Sequence, residues 1–401
     1  MIGLKTKETQ TIKNRIREAA HNYLMINTSS YPPFPNLAEW SRVQAEFARH
    51  PLEYCADFPR IAARHEAWWR CELEGPPLVL AAVTTDPSVI GGRRLELLSH
   101  PEAWMAARLA QLKTTHLVGD ALPAIRVDYG PVCLGMLMGA PVDFISDTTW
   151  TQRFVSDDWS NARDWEIHED NPWWQLLARL LKLNAENAKG RYVAMTPSLG
   201  GTADVLLNFR GAEQLCMDIV DQPEEIAKAV EAIYPIWHKG FERIWGEPLA
   251  MGVGTINWVG LWSNRPYHVL ECDFNFLIGS QAFQGLFLPD LARQARDVGR
   301  GIFHLDGPGA AKHYLALLDK PEITAIQYTT GAGNSVLTHL EMLRQIQERG
   351  RPLQVNVPAK EAVELSRKLD PTGLCLCVEV GGDLDPHGLD NLYRDICKPF
   401  R

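Results

Sequence analysis

The feature that most constrains the fold is an alternation of short apolar runs with amphipathic stretches, clearest in the last third of the chain. Helical patterns follow GIFHLDG (301–307), ITAIQYTTGAG (323–333) and PLQVNVP (352–358), and GLCLCVEV (373–380) closes the series. Such runs are typical of βα units in a parallel sheet, whose strands are apolar because helices cover both faces. The pattern therefore predicts an α/β fold.

Eight strands of this kind are predicted along the chain, at 77–84, 124–128, 191–196, 250–256, 301–305, 323–328, 352–357 and 373–380. Helices are predicted at 101–117, 172–188, 210–218, 223–245, 280–298, 308–319, 335–349 and 359–369. Eight such strands predict a (β/α)8 TIM barrel over 76–401, with an N-terminal helical extension (1–75) packed on it. A doubly wound open sheet is the alternative, although no GxGxxG follows the first strand to support a dinucleotide site.

Composition excludes several classes of function. With 46% hydrophobic and 22% charged residues, the 401-residue chain can bury a large core and is not disordered as a whole. Its net charge of −9 argues against a nucleic-acid partner. We find no run of about 18 apolar residues for a membrane span and no apolar signal core at the N-terminus. We therefore expect a cytoplasmic protein whose scattered cysteines are reduced.

His304 and Asp306 are the strongest candidates for chemistry, because a barrel places its active site where strands end. They lie two positions apart at the end of an apolar run, so both side chains share one face of the strand. This pair can supply an imidazole and a carboxylate to one metal ion, or work as an acid–base pair. Alternatively, Asp306 caps the helix that follows.

Two further segments carry candidate ligands or acids. Cys377 and Glu379 share one face of the last strand, and a Cys377 thiolate would complete a His/Asp/Cys zinc site with an open fourth position. The cysteine could instead fill the barrel interior. Asp273 has apolar neighbours in the sequence, so a raised pKa suits it for catalysis, but a helix N-cap explains it equally well.

The remaining candidates are predicted to bind a small-molecule substrate. Asp204 follows two glycines after the strand RYVAMT, with a helix cap as its alternative role. Amide side chains at Gln327 and Asn356 can hydrogen-bond a substrate. Trp258 and Trp262, in the segment INWVGLW (256–262), are expected to cover the mouth of the barrel. Glu379 completes the predicted substrate-binding set.

Several ordered segments resemble the uroporphyrinogen decarboxylase-like superfamily, over roughly residues 75–396. They are ALPAIRVDYGPVCLGMLMGAP (121–141), SLGGTADVLLNFRGAEQLCMDIVDQPEEI (198–226), ECDFNFLIGSQAFQGLFLPDLA (271–292), FHLDGPGAAKHYLALLD (303–319) and ITAIQYTTGAG (323–333). The resemblance implies a (β/α)8 barrel and, as in many members, a homodimer. The family includes tetrapyrrole decarboxylases and zinc methyltransferases that move methyl groups between small compounds, corrinoids and thiols.

The two branches differ in motifs that can be compared with this chain. Decarboxylases begin with an RQAGRY-like segment, whose arginines bind substrate carboxylates, and this chain has none. The methyltransferases carry His-x-Cys-Gly where this chain has His304-Leu305-Asp306-Gly307. Asp306 thus replaces a cysteine ligand, and Cys377 or Glu379 would stand in for a late cysteine of a Gly-Cys-Gly turn.

The resemblance therefore implies a divergent methyltransferase or demethylase with zinc or another divalent ion as Lewis acid. A corrinoid would accept the methyl group on a separate partner protein, since no DxHxxG corrinoid motif occurs in this chain. One alternative is a metal-free decarboxylase in which His304 and Asp273 act as acid and base. A non-catalytic barrel that binds a small ligand is the other.

Overall fold

The structure is a computed structural model that describes residues 11, 14–16, 18–19, 34–86, 100–127, 129–145, 148–153, 159, 165–331, 333–382 and 384–400. The strands of this part are β1 (Leu78–Thr84), β2 (Thr115–Gly119), β3 (Ala124–Arg126), β4 (Val142–Ile145), β5 (Thr148–Thr151), β6 (Val193–Met195), β7 (Thr255–Ile256), β8 (His268–Leu270), β9 (Gly301–Asp306), β10 (Ala325–Thr329), β11 (Leu353–Pro358) and β12 (Leu374–Glu379).

These strands form three sheets. The largest has the order β2-β1-β12-β11-β10-β9-β8, in which every neighbouring pair is parallel except β1 and β2. A second, parallel sheet has the order β3-β6-β7, and β4 and β5 form an antiparallel hairpin. The predicted α/β class is confirmed. Within the described part of the chain, however, the strand pairing does not join all the parallel strands into one closed ring.

Helices alternate with these strands. Those of four residues or more are α1 (Leu37–Phe47), α2 (Phe58–Trp69), α3 (Pro101–Lys113), α4 (Cys133–Leu137), α5 (Pro172–Ala188), α6 (Thr202–Arg210), α7 (Ala212–Asp221), α8 (Pro223–Ala250), α9 (Leu288–Val298), α10 (Gly307–Ala310), α11 (Tyr314–Leu318), α12 (Leu340–Glu348), α13 (Ala359–Lys368) and α14 (Pro386–Cys397). None of the helices described combines the length and the apolarity that a membrane span needs.

All eight predicted strands have a counterpart, but the prediction missed four others. The helix predicted at 101–117 ends at Lys113, because the next residues form β2 beside β1. The helix predicted at 210–218 corresponds to α7, whereas the helix before it, α6, was not predicted; Gly211, at φ +81°, separates the two. The hairpin β4–β5 and the three-residue strand β8 were also not predicted.

Side chains alternate along the strands of the main sheet, and this alternation positions the site. On β9, Phe303 and Leu305 are completely buried in the apolar core, whereas His304 and Asp306 lie on the other face. On β10, Gln327 is the Cα partner of His304 in the parallel register. The polar residues of neighbouring strands therefore lie side by side on one face of the sheet.

The segment that follows β7 connects the two parallel sheets. The main-chain oxygen of Val259 accepts a hydrogen bond of 2.9 Å from Gln354 Nε2 on β11. A Cβ at Gly260, which has φ +75°, would lie at an ordinary contact distance of 3.7 Å from Leu80 Cδ1 on β1. Main chain from the second sheet is thus held against the main sheet.

Trp262, at the end of this segment, does not cover the mouth as predicted. Its ring is completely buried and packs on Phe47 of α1 and Phe58 of α2. Its main-chain nitrogen donates to His65 Nδ1 at 2.8 Å, and its main-chain oxygen accepts from Trp69 Nε1 at 2.8 Å. Trp262 therefore anchors the N-terminal helices, because an indole surrounded by aromatic rings is stabilised there.

Candidate metal site

Three side chains from two neighbouring strand ends converge on one point. His304 and Asp306 belong to β9, and Asp273 begins a 3-10 turn (Asp273–Leu277) shortly after β8, the neighbour of β9. A ring nitrogen of His304 and one oxygen from each aspartate lie within 4.8 Å of one another. His304 Nε2 is 3.9 Å from Asp273 Oδ1. The arrangement offers one imidazole and two carboxylates to a single cation.

Gln327 determines which nitrogen of His304 faces this point. The Nδ1–H of His304 donates to Gln327 Oε1. The amide nitrogen of Gln327 donates in turn to Asn356 Oδ1 at 3.1 Å and to Thr329 Oγ1 at 3.2 Å. Because those acceptors orient the amide, its oxygen must face the imidazole. Nε2 is therefore left with its lone pair, as a metal ligand or a general base requires.

Asp273 provides a test of whether a cation fits. Its Oδ1 is buried and has no hydrogen-bond donor among the described residues. Burial raises the pKa of this carboxyl, the charge of His304 opposes that effect, and the charge of Asp306 adds to it. A buried oxygen without a donor is costly. A divalent ion would supply the missing partner, so the three residues fit a metal.

Asp204 positions Asp273 and does not face a substrate as predicted. It is buried on the first turn of α6, where its two carboxylate oxygens accept the main-chain N–H groups of Asp273, at 3.1 Å, and Phe274, at 2.9 Å. Burial, together with the charge of Asp273, raises its pKa well above the ordinary value for an aspartate. Asp204 therefore does not cap its own helix, as the alternative prediction had it, but holds the distant turn that carries Asp273.

Gly201 allows the loop after β6 to lie directly against the end of β8. A Cβ at this position would overlap the main-chain oxygen of Glu271 and come within 2.9 Å of Asp204 Oδ2. Only glycine permits so close an approach of two main chains. The glycines noted before Asp204 therefore serve to bring α6 close to Asp273.

Glu271 and Ser198 belong to the site and were not predicted. Glu271 directly follows β8 and is buried, and Ser198 Oγ donates a hydrogen bond to its Oε2. Burial, together with the charge of Asp273, raises the pKa of Glu271 to about 7, while the serine hydroxyl, His304 and Arg126 oppose that rise. Glu271 is therefore a carboxyl that can carry a proton near neutral pH. Its position after a strand would have revealed it, had β8 been predicted.

Trp258 and Arg126 form one wall beside the imidazole. The ring of Trp258 meets His304 edge-on, with 5.2 Å between ring centroids. Arg126 ends β3, and its guanidinium carbon lies 5.8 Å from the centroid of the Trp258 ring. Trp258, which was predicted to cover the mouth of the barrel and to bind a substrate, thus lies beside His304. Arg126 was not singled out from the sequence.

The other predicted residues lie outside the converging group. Cys377 lies on β12, which β10 and β11 separate from β9. The third metal-ligand position, which was predicted for Cys377, is occupied by Asp273. Burial raises the pKa of its thiol to about 11, which favours the uncharged form. Glu379 lines a cavity of about 590 Å³ with Pro358, Lys360 and Leu384.

Gln327 and Asn356 were predicted to bind a substrate, but the structure gives them another role. Gln327 is almost fully buried, and both ends of its amide are engaged, as described above. Asn356 extends the same hydrogen-bonded row across β11. These amides orient His304 through their mutual contacts.

A scan against models of known protein families finds no match for this chain, and a search of curated proteins finds no significant one. The geometry of the site and the motifs in the sequence are therefore what indicates a function for this chain.

Proposed function

We propose that this protein is an enzyme that binds a divalent cation through Asp273, His304 and Asp306 and transfers a methyl group from a small methylated compound to a corrinoid on a partner protein. One observation carries the proposal: two carboxylates converge on His304, whose Nε2 lone pair is directed by the hydrogen bond to Gln327. A bound cation would act as a Lewis acid on the heteroatom that carries the methyl group.

The donor set favours certain ions. With one imidazole and two carboxylates and no thiolate, it suits zinc or another first-row divalent ion rather than a site selective for a soft metal. The substitution of Asp306 for a cysteine of the methyltransferase motif is consistent with such a set. Asp273 therefore takes the place of the predicted thiolate ligand, and the cation keeps its role as a Lewis acid.

The remaining side chains have roles that need no cation. Glu271 can hold a proton at its carboxyl and deliver it to the heteroatom that loses its methyl group, because burial favours the protonated form of this carboxyl. Trp258 supplies an apolar wall that keeps water from the reacting atoms. Gln327 and Asp204 keep His304 and Asp273 in place.

For the fold, we infer that the two parallel sheets are parts of one distorted (β/α)8-type barrel. The strand order from β8 to β12 follows the chain without reversal, and the first strand, β1, pairs with the last, β12. A doubly wound sheet reverses its strand order at a switch point, so this order favours the barrel.

A metal-free lyase is the second candidate, and the contact between His304 and Asp273 favours it. The 3.9 Å separation of His304 Nε2 and Asp273 Oδ1 could serve an acid–base pair in decarboxylation, with Glu271 as the proton donor. In that case turnover would not depend on a metal ion.

Metal content separates the two candidates. Full-length protein purified without chelator should contain about one equivalent of a divalent ion, and His304→Ala less than about 0.2 equivalents. His116→Ala is the matched control, because His116 lies at the surface beside Asp390. Wild-type protein that neither retains nor rebinds zinc, manganese or cobalt would exclude the metal-dependent proposal.

The reaction can be tested directly. Reduced cobalamin, mixed with the enzyme and a panel of small methoxy and methylthio compounds, should yield methylcobalamin detectable by its absorption spectrum. Chelator should stop this formation. Release of carbon dioxide from carboxylic acids that continues in chelator would instead support the lyase.

A further inference from the structure

Arg126 places a fixed positive charge close to Trp258, the side chain that packs against His304. The guanidinium carbon lies 5.8 Å from the indole centroid, which lies 5.2 Å from the imidazole centroid. The sum of these separations limits the distance between guanidinium and imidazole to about 11 Å. A ligand that contacts both groups therefore needs no more than one aromatic ring or a short chain between two polar ends.

The charges of the site favour an anion at this wall. A divalent ion would balance the two carboxylates of Asp273 and Asp306 that hold it. Arg126 then adds a positive charge to the same space, close enough to Glu271 for the two groups to interact electrostatically. Glu271 also accepts a hydrogen bond from Ser198. An anionic group could therefore approach Arg126 without meeting the full charge of the aspartates.

The chemistry of the guanidinium narrows the class of anion. Its planar fork of N–H donors matches the two oxygens of a carboxylate and can bind them in a bidentate manner. The indole of Trp258 offers a flat apolar surface close to both this group and His304. A ligand bound along this wall would have an acidic end, an apolar middle and a reacting heteroatom.

We propose that the substrate is a small organic carboxylate that pairs with Arg126, lies along Trp258 and presents its methylated heteroatom to the Asp273–His304–Asp306 group. This inference rests on the proposed function, since it takes that group as the place of reaction. It specifies the class of substrate, which the proposed function leaves open.

Binding of matched acids and amides tests the proposal. The zinc-loaded, full-length protein is titrated calorimetrically with para-methoxybenzoate, methoxyacetate and methylthioacetate, and with the corresponding uncharged amides. At least one acid should bind about tenfold or more tightly than its amide, because a charged hydrogen-bonded pair is worth about 1.4 kcal/mol or more. If no acid binds better than its amide, the proposal is overturned.

Variants assign the preference to Arg126. Arg126→Gln should reduce acid binding about tenfold or more and leave amide binding within about twofold. Arg126→Lys should recover only part of the preference, because an ammonium cannot form the bidentate pair. The control is Arg179→Gln, which alters an exposed arginine paired with Glu102 and should change nothing. If Arg126→Gln still binds acids in preference to amides as strongly as the wild type does, Arg126 is not the residue that selects the carboxylate.

A zinc titration of the same proteins distinguishes this inference from the proposed function. Arg126→Gln should bind zinc as the wild type does, because Arg126 is not among the three converging residues. If the wild type binds no zinc, the metal-dependent function fails. The acid–amide comparison on the metal-free chain then still decides whether Arg126 selects carboxylates.

Discussion

The Nδ1–H of His304 donates to the side-chain oxygen of Gln327, its Cα partner on the adjacent strand. The same amide donates from its nitrogen to Asn356 and Thr329 on the side away from the imidazole. A neutral side chain thus selects one tautomer without adding charge to a site that already contains several carboxyl groups.

Replacing Gln327 with Leu should weaken metal binding about 10- to 100-fold, because the imidazole loses the acceptor that fixes its tautomer. The measurement is a competitive zinc titration. Gln354→Leu is the matched control, since Gln354 is the Cα partner of Gln327 on β11 and bonds to Val259 instead. An equal loss of affinity in both variants would contradict the role given to Gln327.

Asp204→Asn should weaken zinc binding, because an amide cannot accept both N–H groups that hold the turn at Asp273. The free energy of unfolding should also fall by about 1–3 kcal/mol, since a buried donor loses its partner. Asp385→Asn, which alters an exposed cap at the start of α14, is the control and should leave zinc affinity unchanged. Undiminished zinc affinity in Asp204→Asn would argue against the positioning role.

Gly201→Ala should be severely destabilising, by about 3 kcal/mol or more, because the new methyl group overlaps the main-chain oxygen of Glu271. Chemical unfolding measures the effect. Gly279→Ala serves for comparison, since a Cβ there meets no atom within 4 Å. Similar stability of the two variants would show that the loop after β6 can move away from β8.

Acidification should destabilise the protein through His268. Burial lowers the pKa of this imidazole to about 3, so between that value and about 6.5 the unfolded chain binds a proton that the folded chain does not. Stability therefore decreases as the pH falls through this window, by up to about 1.4 kcal/mol per pH unit. His65, also buried with a lowered pKa, contributes in the same direction.

Equilibrium unfolding between about pH 4.5 and 7.5 tests this dependence. In His268→Gln the slope should be smaller, and the amide oxygen can still accept from Trp237 Nε1. His168→Gln, which alters an exposed histidine, should retain the wild-type slope. An unchanged slope in His268→Gln would show that His268 does not cause the pH dependence.

Periodicity along single strands was sufficient to predict the placement of His304 and Asp306. The rule that residues two apart share a face needs only the strand itself, and β9 is strongly apolar. Asp273 was recognised as a candidate acid, yet its place beside His304 depends on the pairing of β8 with β9. A strand of three residues leaves too short an apolar run to be predicted, and Glu271 was missed with it.

The third ligand was mispredicted for a related reason. The face that Cys377 occupies on β12 can be read from the sequence, but its distance from β9 depends on how many strands lie between them. The roles of Gln327 and Asp204 depend on hydrogen bonds between segments distant in the chain. Such bonds follow from tertiary packing, which local patterns do not contain.

The hydrogen bond from Gln354 to Val259 has a consequence for altering substrate preference. Its acceptor is a main-chain oxygen, which is common to all amino acids, in the residue that directly follows Trp258. Changing the side chain at position 259 therefore leaves this bond to the main sheet in place. Trp258 itself can be reshaped by point substitution while its main-chain neighbour stays anchored to β11.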